Sequence, residues 1–278
     1  MVAELSSLSE GNRPFFSIIT CTFNSAEYIQ ETIESVERQR FENFEHIFVD
    51  GFSTDATSSI IKAYQARYPN KVVFHQLPAK GISNAMNAGV DLARGEVILH
   101  LHGDDCLASD RVLGSVRSKF LTSKASIVVG NCMLTVGSTI SYTWPNSSVR
   151  RTLLKLFFFP LMFYSNLIPH PSAYVMKSVF QRHGGFDEHY RVVMDYEFWL
   201  RVLRAEKIFL MDDFLSVYRF HPETVSSKQK DLGLIEIKKI RKKYNGDYIL
   251  AYAFFMLFLR PILVLRRLLK QKSRASVH

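Results

Sequence analysis

The sequence predicts an α/β protein with a mostly parallel sheet flanked by helices, followed by an apolar and basic helical appendage. Two observations support this prediction. Short apolar segments typical of buried strands alternate with segments that repeat apolar residues at helical spacing, and the connections between them are short. The strand segments are apolar almost throughout, which is expected when helices cover both faces of a parallel sheet.

The first seven elements follow one another closely. Each predicted helix carries apolar residues three or four positions apart, as in Ile29, Ile33 and Val36. The expected order is a strand over 15–22, a helix capped by Asn24 or Ser25, a strand over 44–49, a helix around 60–64, a strand over 71–76, a helix opening at 80–83 and a strand over 97–101. Further along, residues 126–130 are predicted to form another strand.

Polar residues gather where three of these strands end, at 20–24, 50–55 and 103–105. In open parallel sheets ligands bind beyond the carboxyl ends of the strands. The convergence of the three clusters on one edge therefore indicates a binding site there.

The adjacent acids Asp104 and Asp105 follow a buried strand and need compensation for their charge. A divalent cation shared with phosphate oxygens would provide it, because hard cations prefer carboxylate ligands. The alternative is an acidic turn before a helix that Ser109 or Asp110 begins. The pair by itself leaves both interpretations open.

Composition limits the classes of protein. The chain has 278 residues, 47% of them hydrophobic and 22% charged, which suits one large domain. Its three cysteines, Cys21, Cys106 and Cys132, are widely spaced, so neither a zinc ribbon nor a disulfide framework is expected. The polar N-terminal tail, 1–14, shows no secretory signal pattern.

The formal net charge of +9 is concentrated in the last part of the chain, 227–278. Residues 248–265 are almost wholly apolar but are broken by Arg260 and Pro261, so a membrane span is not favoured. We expect this region to attach to an anionic membrane surface, the alternative being a helix docked on the domain. Binding of nucleic acid is not expected, because the basic residues lack interleaved aromatic residues.

Seven sequence blocks resemble the family 2 glycosyltransferases of the GT-A (Rossmann-like) fold. Four blocks keep the family's order and approximate spacing: 17–24, 49–57, 80–87 and 102–105. Three more resemble the acceptor half of the same family: 168–172, 184–187 and 193–201. The resemblance implies a catalytic domain over 15–226. Its nucleotide-sugar-binding half would be 15–131 and its acceptor half 132–226.

The resemblance implies roles for residues of the first half in holding the donor. Asp50 would accept a hydrogen bond from a uracil-type imide, and Thr22 and Asn24 would line the same pocket. Lys80 would approach the diphosphate, and Asn84 occupies a position where many relatives carry an acid. Locally, Asp50 is equally suited to an Asx-turn, and Lys80 to an exposed loop.

The family's metal motif is commonly Asp-x-Asp, and Gly103 stands where its first acid would be. The resemblance implies that Asp105 ligates Mn²⁺ or Mg²⁺, while Asp104 contacts ribose or lies behind the ligand. With one direct carboxylate ligand, the metal is expected to bind weakly until the nucleotide arrives.

In the second half, Asp195 matches the position of the family's catalytic base. Inverting transfer needs a carboxylate that removes the proton of the acceptor hydroxyl, and an Asp with an ordinary pKa near ~3.9 is ionised at neutral pH. The alternative is that Asp195 caps a helix. Glu197 is a reserve candidate that points elsewhere on the helix, and His170, between two prolines, is a possible contact for the acceptor.

The sequence thus predicts an inverting, metal-dependent glycosyltransferase that uses a nucleotide-diphosphate sugar, with UDP favoured. The expected acceptor is lipid-linked or a polysaccharide of the cell surface, and the expected location is cytoplasmic, on the inner face of the cell membrane. The alternative is an inactive, membrane-associated binding scaffold of the same fold. A nucleotidyltransferase is disfavoured because the loop after the first strand, 20–25, has no glycine.

Overall fold

The computed structural model describes residues 13–136, 139–144, 162–163, 166–222 and 224–244, with single positions at 253, 257 and 261. Residues 1–12 of the N-terminal tail and most of the predicted apolar and basic appendage, including 248–265 apart from those three positions, lie outside these ranges. No helix in the described ranges is long and apolar enough to cross a membrane.

Strands and helices alternate strictly at the start of the chain. The strands are β1 Phe16–Thr22, β2 Phe44–Asp50, β3 Val72–Gln76, β4 Val97–His100, β5 Cys106–Leu107, β6 Ile127–Val136, β7 Thr139–Trp144, β8 Ala173–Met176 and β9 Ile208–Phe220. The helices are α1 Ile29–Glu37, α2 Thr57–Arg67, α3 Ile82–Leu92, α4 Val112–Ser123, α5 Lys177–His183, α6 Met194–Val202, α7 Val225–Lys228 and α8 Lys230–Tyr244, with a 3₁₀ turn over His170–Ser172.

The strands of the described residues form one sheet in the order β3-β2-β1-β4-β8-β6-β9-β5, with β7 paired to β6. The first half of the sheet is wholly parallel: β1 pairs with β2 and with β4, and β2 pairs with β3. Beyond β4 the sheet is mixed, because β8 runs antiparallel to both β4 and β6. The predicted α/β class and the parallel half are confirmed.

Both faces of the sheet are covered, as the apolar strands require. Successive residues of β1 belong to two cores: Ile18 to the core that includes residues of α4, and Ile19 to the core that includes residues of α3, α5, α6 and α8. Helix α3 lies very close to β1, since a Cβ added at Gly89 would come within 2.3 Å of Ile19 Cγ2. This contact brings the start of α3 to the edge where β1 ends.

Two helix starts differ from the prediction. Helix α1 begins at Ile29, because Ser25 accepts backbone hydrogen bonds from Tyr28 and Ile29 and so closes a turn first. Helix α4 begins after Arg111, with no side-chain cap from Ser109 or Asp110. The expected cap residues instead contact other segments: the Ser25 N–H donates to Thr57 Oγ1, and Asp110 pairs with Arg40.

Candidate active site

A cleft of about 980 Å³ lies at the carboxyl ends of β1 and β4. One wall comes from the parallel half of the sheet and the other from the segments around the 3₁₀ turn and the start of α6. Predicted site residues on its walls are Thr22, Asn24, Lys80, Asp104, Asp105, His170 and Asp195. The structure therefore brings together residues that are 173 positions apart in sequence, from Thr22 to Asp195.

The loops after β1 and β2 are joined by direct hydrogen bonds. The backbone N–H of Asn24 donates to Ser53 Oγ at 2.9 Å, and Asn24 Oδ1 accepts from the N–H of Thr54 at 2.8 Å. Asn24 adopts a left-handed conformation with φ 52°, which Asn tolerates better than most residues. Hydrogen bonds between backbone N–H groups and side-chain oxygens thus hold one side of the cleft in place.

Asp50 is fully buried at the end of β2 and does not lie on the cleft wall. Its carboxylate accepts hydrogen bonds from Thr22, Ser53, Ser58 and Gln76, including an Asx-turn bond from the Ser53 N–H at 3.0 Å. Burial alone would raise the pKa of Asp50, but the hydrogen bonds from Ser53, Gln76 and Thr22 outweigh it and lower this pKa. Thr22 connects this carboxylate to the cleft, and the contact of Asp50 with a nucleotide base stays a prediction.

Asp105 is fully buried, yet one of its carboxylate oxygens has no partner. Its Oδ1 accepts a 3.4 Å hydrogen bond from the backbone N–H of Arg219, whereas Oδ2 is buried and unpaired. Burial and the neighbouring Asp104 carboxylate raise the pKa of Asp105 well above its usual value. Because an unpaired buried carboxylate oxygen is costly, this position is suited to a group that brings positive charge.

His221 and Arg219, at the end of β9, are site residues that the sequence did not reveal. His221 Nε2 lies 3.0 Å from Asp104 Oδ2, and its ring packs against Tyr28 at 4.9 Å between centroids. Arg219 stacks over the same Tyr28 ring at 4.5 Å and pairs with Glu31. No local pattern marks these residues, because their partners lie more than a hundred positions earlier in the chain.

Two donor-site candidates on the next segment have different surroundings. Lys80 lies on the cleft wall, in the exposed loop before α3. Asn84, in the first turn of α3, donates to both carboxylate oxygens of Glu188 at 3.3 and 3.2 Å. Asn84 therefore joins the two halves of the domain, and its predicted contact with the donor stays a prediction.

Asp195 lies on the opposite wall, in the first turn of α6. Its Oδ2 accepts from Asn166 Nδ2 at 2.8 Å, and its Oδ1 accepts from the N–H of Tyr196 at 2.7 Å. Burial raises the pKa of Asp195 to about 6, and these hydrogen bonds offset part of that rise. The expectation of an ordinary pKa is wrong, because tertiary packing removes water from this side chain.

Glu197 is fully buried and lies away from the cleft wall. It accepts hydrogen bonds from Tyr244 Oη at 2.5 Å and Lys243 Nζ at 3.0 Å, and it pairs with Arg201 one turn later. Its carboxylate thus ties α6 to α8. The structure does not bring Glu197 together with the other predicted site residues.

His170 lies on the cleft wall, stacked against His100 and His102 with ring centroids 5.5 Å apart in each case. Neither of its ring nitrogens has a hydrogen-bond partner. Burial, with smaller effects of His100 and His102, lowers the pKa of His170 well below its usual value. A neutral imidazole with unused nitrogens is chemically able to hydrogen-bond a hydroxyl group, and its role with an acceptor stays a prediction.

The fit of a divalent cation depends on the buried Oδ2 atom of Asp105. Across the described ranges, no three or more His, Cys, Asp or Glu side chains are arranged to hold a metal ion by themselves. The unpaired oxygen of Asp105, beside the carboxylate of Asp104, nevertheless suits a hard cation that takes its other ligands from elsewhere. The residues present therefore fit a cation shared with a bound phosphate.

Comparison with solved structures supports the fold. A mannosyltransferase from Pyrobaculum calidifontis in complex with GDP-Man and Mn²⁺ matches with a TM-score of 0.63 and 17% identity, over 92% of this chain and 76% of that one. TarS 1–349 of S. aureus in complex with UDP-GlcNAc matches with a TM-score of 0.61 and 18% identity, over 87% and 76%. The chain spans 46% of a longer TarS structure. At these identities the likeness shows the shared GT-A fold.

Comparison of sequences identifies the family as well as the fold. A PGL/p-HBAD biosynthesis glycosyltransferase of Mycobacterium bovis is 29% identical over 189 residues, 68% of this chain and 69% of the relative. An uncharacterized glycosyltransferase of Rickettsia felis is 29% identical over 218 residues, 77% of this chain and 36% of the relative. The sequence model of glycosyl transferase family 2 matches residues 17–183. Since that match covers more than half of the chain, the chain belongs to glycosyl transferase family 2, as its motifs predict.

Proposed function

We propose that this protein is an inverting, metal-dependent glycosyltransferase that moves a sugar from a nucleotide-diphosphate sugar to a lipid-linked or polysaccharide acceptor. The observation that carries the proposal is the single cleft with Asp104 and Asp105 on one wall and Asp195 on the other. One carboxylate has a buried, unpaired oxygen suited to a cation, and the other is suited to accept a proton.

The donor binds along the wall built from β1, β2 and β4. UDP is favoured as the nucleotide, with Thr22 and Asn24 beside the base and ribose and with Asp50 behind them as a hydrogen-bond acceptor. Lys80 faces the diphosphate, and Asn84 lies behind Lys80 at the start of α3. These assignments rest on positions at one sheet edge, where ligands of open parallel sheets bind.

Asp105 is the residue that would hold Mn²⁺ or Mg²⁺, and His221 holds Asp104 beside it. When bound, the cation would act as a Lewis acid that stabilises the charge that develops on the leaving diphosphate. The TarS and mannosyltransferase structures, whose complexes contain a nucleotide sugar or Mn²⁺, support this class of donor and ion.

Asp195 removes the proton of the attacking hydroxyl as the new glycosidic bond forms on the face opposite the leaving group. Asn166 and the Tyr196 N–H hold its carboxylate in place for this step. A pKa of about 6 keeps it mostly ionised at neutral pH and makes it a stronger base than an ordinary Asp. His170, on the same wall, contacts the acceptor.

Membrane association is proposed through residues 227–278, with the protein on the cytoplasmic side. Helix α8 supports it, because Leu234 and Ile235 are about half exposed beside the exposed residues Lys238, Lys239 and Lys242. Such a mixed apolar and basic face suits an anionic lipid surface. Sedimentation of the full chain with phosphatidylglycerol vesicles, but not with phosphatidylcholine vesicles, is the expected result.

The test of the function is release of nucleotide from a panel of donors: UDP-GlcNAc, UDP-glucose, UDP-galactose and GDP-mannose. Each donor is incubated with Mn²⁺, Mg²⁺ or a chelator. We expect turnover of at least one UDP-sugar, and chelation should abolish it. Turnover that resists chelation would contradict the role of Asp105, and absence of turnover with every donor would favour the inactive scaffold.

A further inference from the structure

A carboxylate on α8 holds the segment that precedes Asp195, the proposed base. Glu236, on α8, is only 3% exposed, and it accepts hydrogen bonds from three successive backbone N–H groups. The distances are 2.8 Å from Arg191, 3.0 Å from Val192 and 3.2 Å from Val193. The next residues are Met194 and Asp195, which lie on the cleft wall.

These bonds supply what the local sequence lacks. Helix α6 begins at Met194, and its N-cap residue, Val193, has no side chain that can accept a hydrogen bond from the first turn. A buried carboxylate needs donors, and three N–H groups that point at one acceptor provide them. The bonds of Glu236 therefore fix both the loop 191–193 and the start of α6.

Helix α8 packs closely against the loop 191–193, so a displacement of Glu236 would displace the loop as well. Gly233, one turn earlier on α8, faces the same loop, and a Cβ there would come within 3.2 Å of Val192 Cγ1. Glycine inside a helix is less favourable than alanine, so this close approach accounts for its presence. At the other end of α8, Lys243 and Tyr244 bind Glu197, two residues after the proposed base.

We propose that Glu236 is a positioning residue for Asp195: it holds the backbone on the N-terminal side of the base, while the contacts of α8 with Glu197 hold the C-terminal side. This inference rests on the proposed function of Asp195 as base. It places a determinant of turnover in α8, a helix that lies beyond the part of the chain matched by the family model.

The test compares E236Q, E236D and the control D231N, in which an exposed carboxylate on the same helix is changed to an amide. The readout is nucleotide release from the donor that the wild type turns over best, with water as acceptor. We expect kcat of E236Q to fall about tenfold or more while KM for the donor stays within about twofold. The reason is that the substitution leaves untouched the cleft wall built from β1, β2 and β4, along which the donor binds (the donor wall). E236D should recover part of the loss, and D231N should match the wild type.

Two further readouts separate positioning from general destabilisation. Looser packing should hydrate Asp195, so the acidic limb of the rate profile of E236Q should move below the pH near 6 expected for the wild type. Amide hydrogen exchange should rise over 190–196 in E236Q but not in D231N, with the strands of the donor wall unchanged.

Full kcat in E236Q, or an equal loss of kcat and donor affinity with raised exchange throughout the sheet, would overturn the positioning role. If the wild type turns over no donor, the proposed function fails and the inference falls with it. If the wild type is active and E236Q is equally active, only the inference fails.

Discussion

Asp105 and Asp195 lie on opposite walls of one cleft, but their carboxylates have different partners. Asp105 has one buried oxygen with no hydrogen bond and a second acid beside it. Asp195 has a donor for each oxygen, from Asn166 and from the Tyr196 backbone. Burial raises the pKa of both, but the rise for Asp195 stops at about 6.

The difference shows how two acids of the same type on one cleft are suited to different chemistry. A carboxylate with an unpaired oxygen and a like-charged neighbour is stabilised by a cation. A carboxylate that is already hydrogen-bonded is stable in its charged form near neutral pH and can exchange a proton there. Asp50 completes the contrast: it is as buried as Asp105, but its donors lower its pKa, so it needs neither a cation nor a proton.

The largest effect is expected for D195N, which keeps the size of the side chain and removes the base. Turnover should fall by about 10²- to 10⁴-fold, the range typical of a general base. Binding of UDP should be unchanged, because the donor wall is not altered. Measurement of initial rates and of UDP affinity by calorimetry checks both, and a fall in affinity parallel to the fall in rate would contradict the assigned role.

D105N is expected to reduce turnover by about 10²-fold and to remove the dependence on metal. Although D105N lowers turnover, it should not destabilise the protein when no metal is bound. Because folding raises the pKa of Asp105, the wild type without metal loses stability as the pH rises above the usual range of an Asp, whereas Asn does not ionise.

Thermal melts at pH 8 with a chelator should therefore place D105N at or above the wild type, and Mn²⁺ with UDP should stabilise only the wild type. A melting temperature of D105N well below that of the wild type under chelation would show that Asp105 is compensated in some other way. D231N, on the exposed side of α8, serves as the matched control in both measurements.

D50N tests whether hydrogen bonds stabilise the buried carboxylate of Asp50. The donors that face Asp50 would meet an amide that cannot accept all of their bonds, so the free energy of unfolding should fall by about 2 to 3 kcal/mol. Because folding lowers the pKa of Asp50, the stabilisation is present above the usual pKa of an Asp and is lost as the pH falls. Urea unfolding at pH 7 and pH 4 measures this, and equal stability of both proteins at pH 7 would refute it.

The smallest effect is the pH dependence of the wild type. Asp195 must be ionised to accept a proton, so kcat/KM should fall about tenfold for each pH unit below 6 and level off above it. Donor affinity, measured separately for UDP at each pH, corrects for titration of the donor wall. A limb near pH 4 would mean that Asp195 is more hydrated than its burial indicates.

Much of the donor wall could be predicted from the sequence, because its residues follow the strands that place them. Asp105 lies in the loop that follows the predicted strand over 97–101, and Thr22 ends β1. The observed parallel register of β1 and β2 then sets Thr22 beside Asp50. The Asx-turn of Asp50 was one of the interpretations that the sequence left open. The bond from Gln76 to Asp50 and the unpaired oxygen of Asp105 depend on segments that are distant in the chain and could not be predicted.

By itself, the sequence determined the α/β class, the family and the strand-end position of the donor carboxylates, because these depend on periodicity and on motifs read along the chain. Only the tertiary structure decided the contact of His221 with Asp104, the raised pKa of Asp195 and the hold of Glu236 on residues 191–193. These depend on which distant segments exclude water and supply donors, and no local pattern encodes that arrangement. Asp50 and Asp105 are equally buried, and the hydrogen-bond donors that distant segments supply to Asp50 but not to Asp105 Oδ2 make the difference between them.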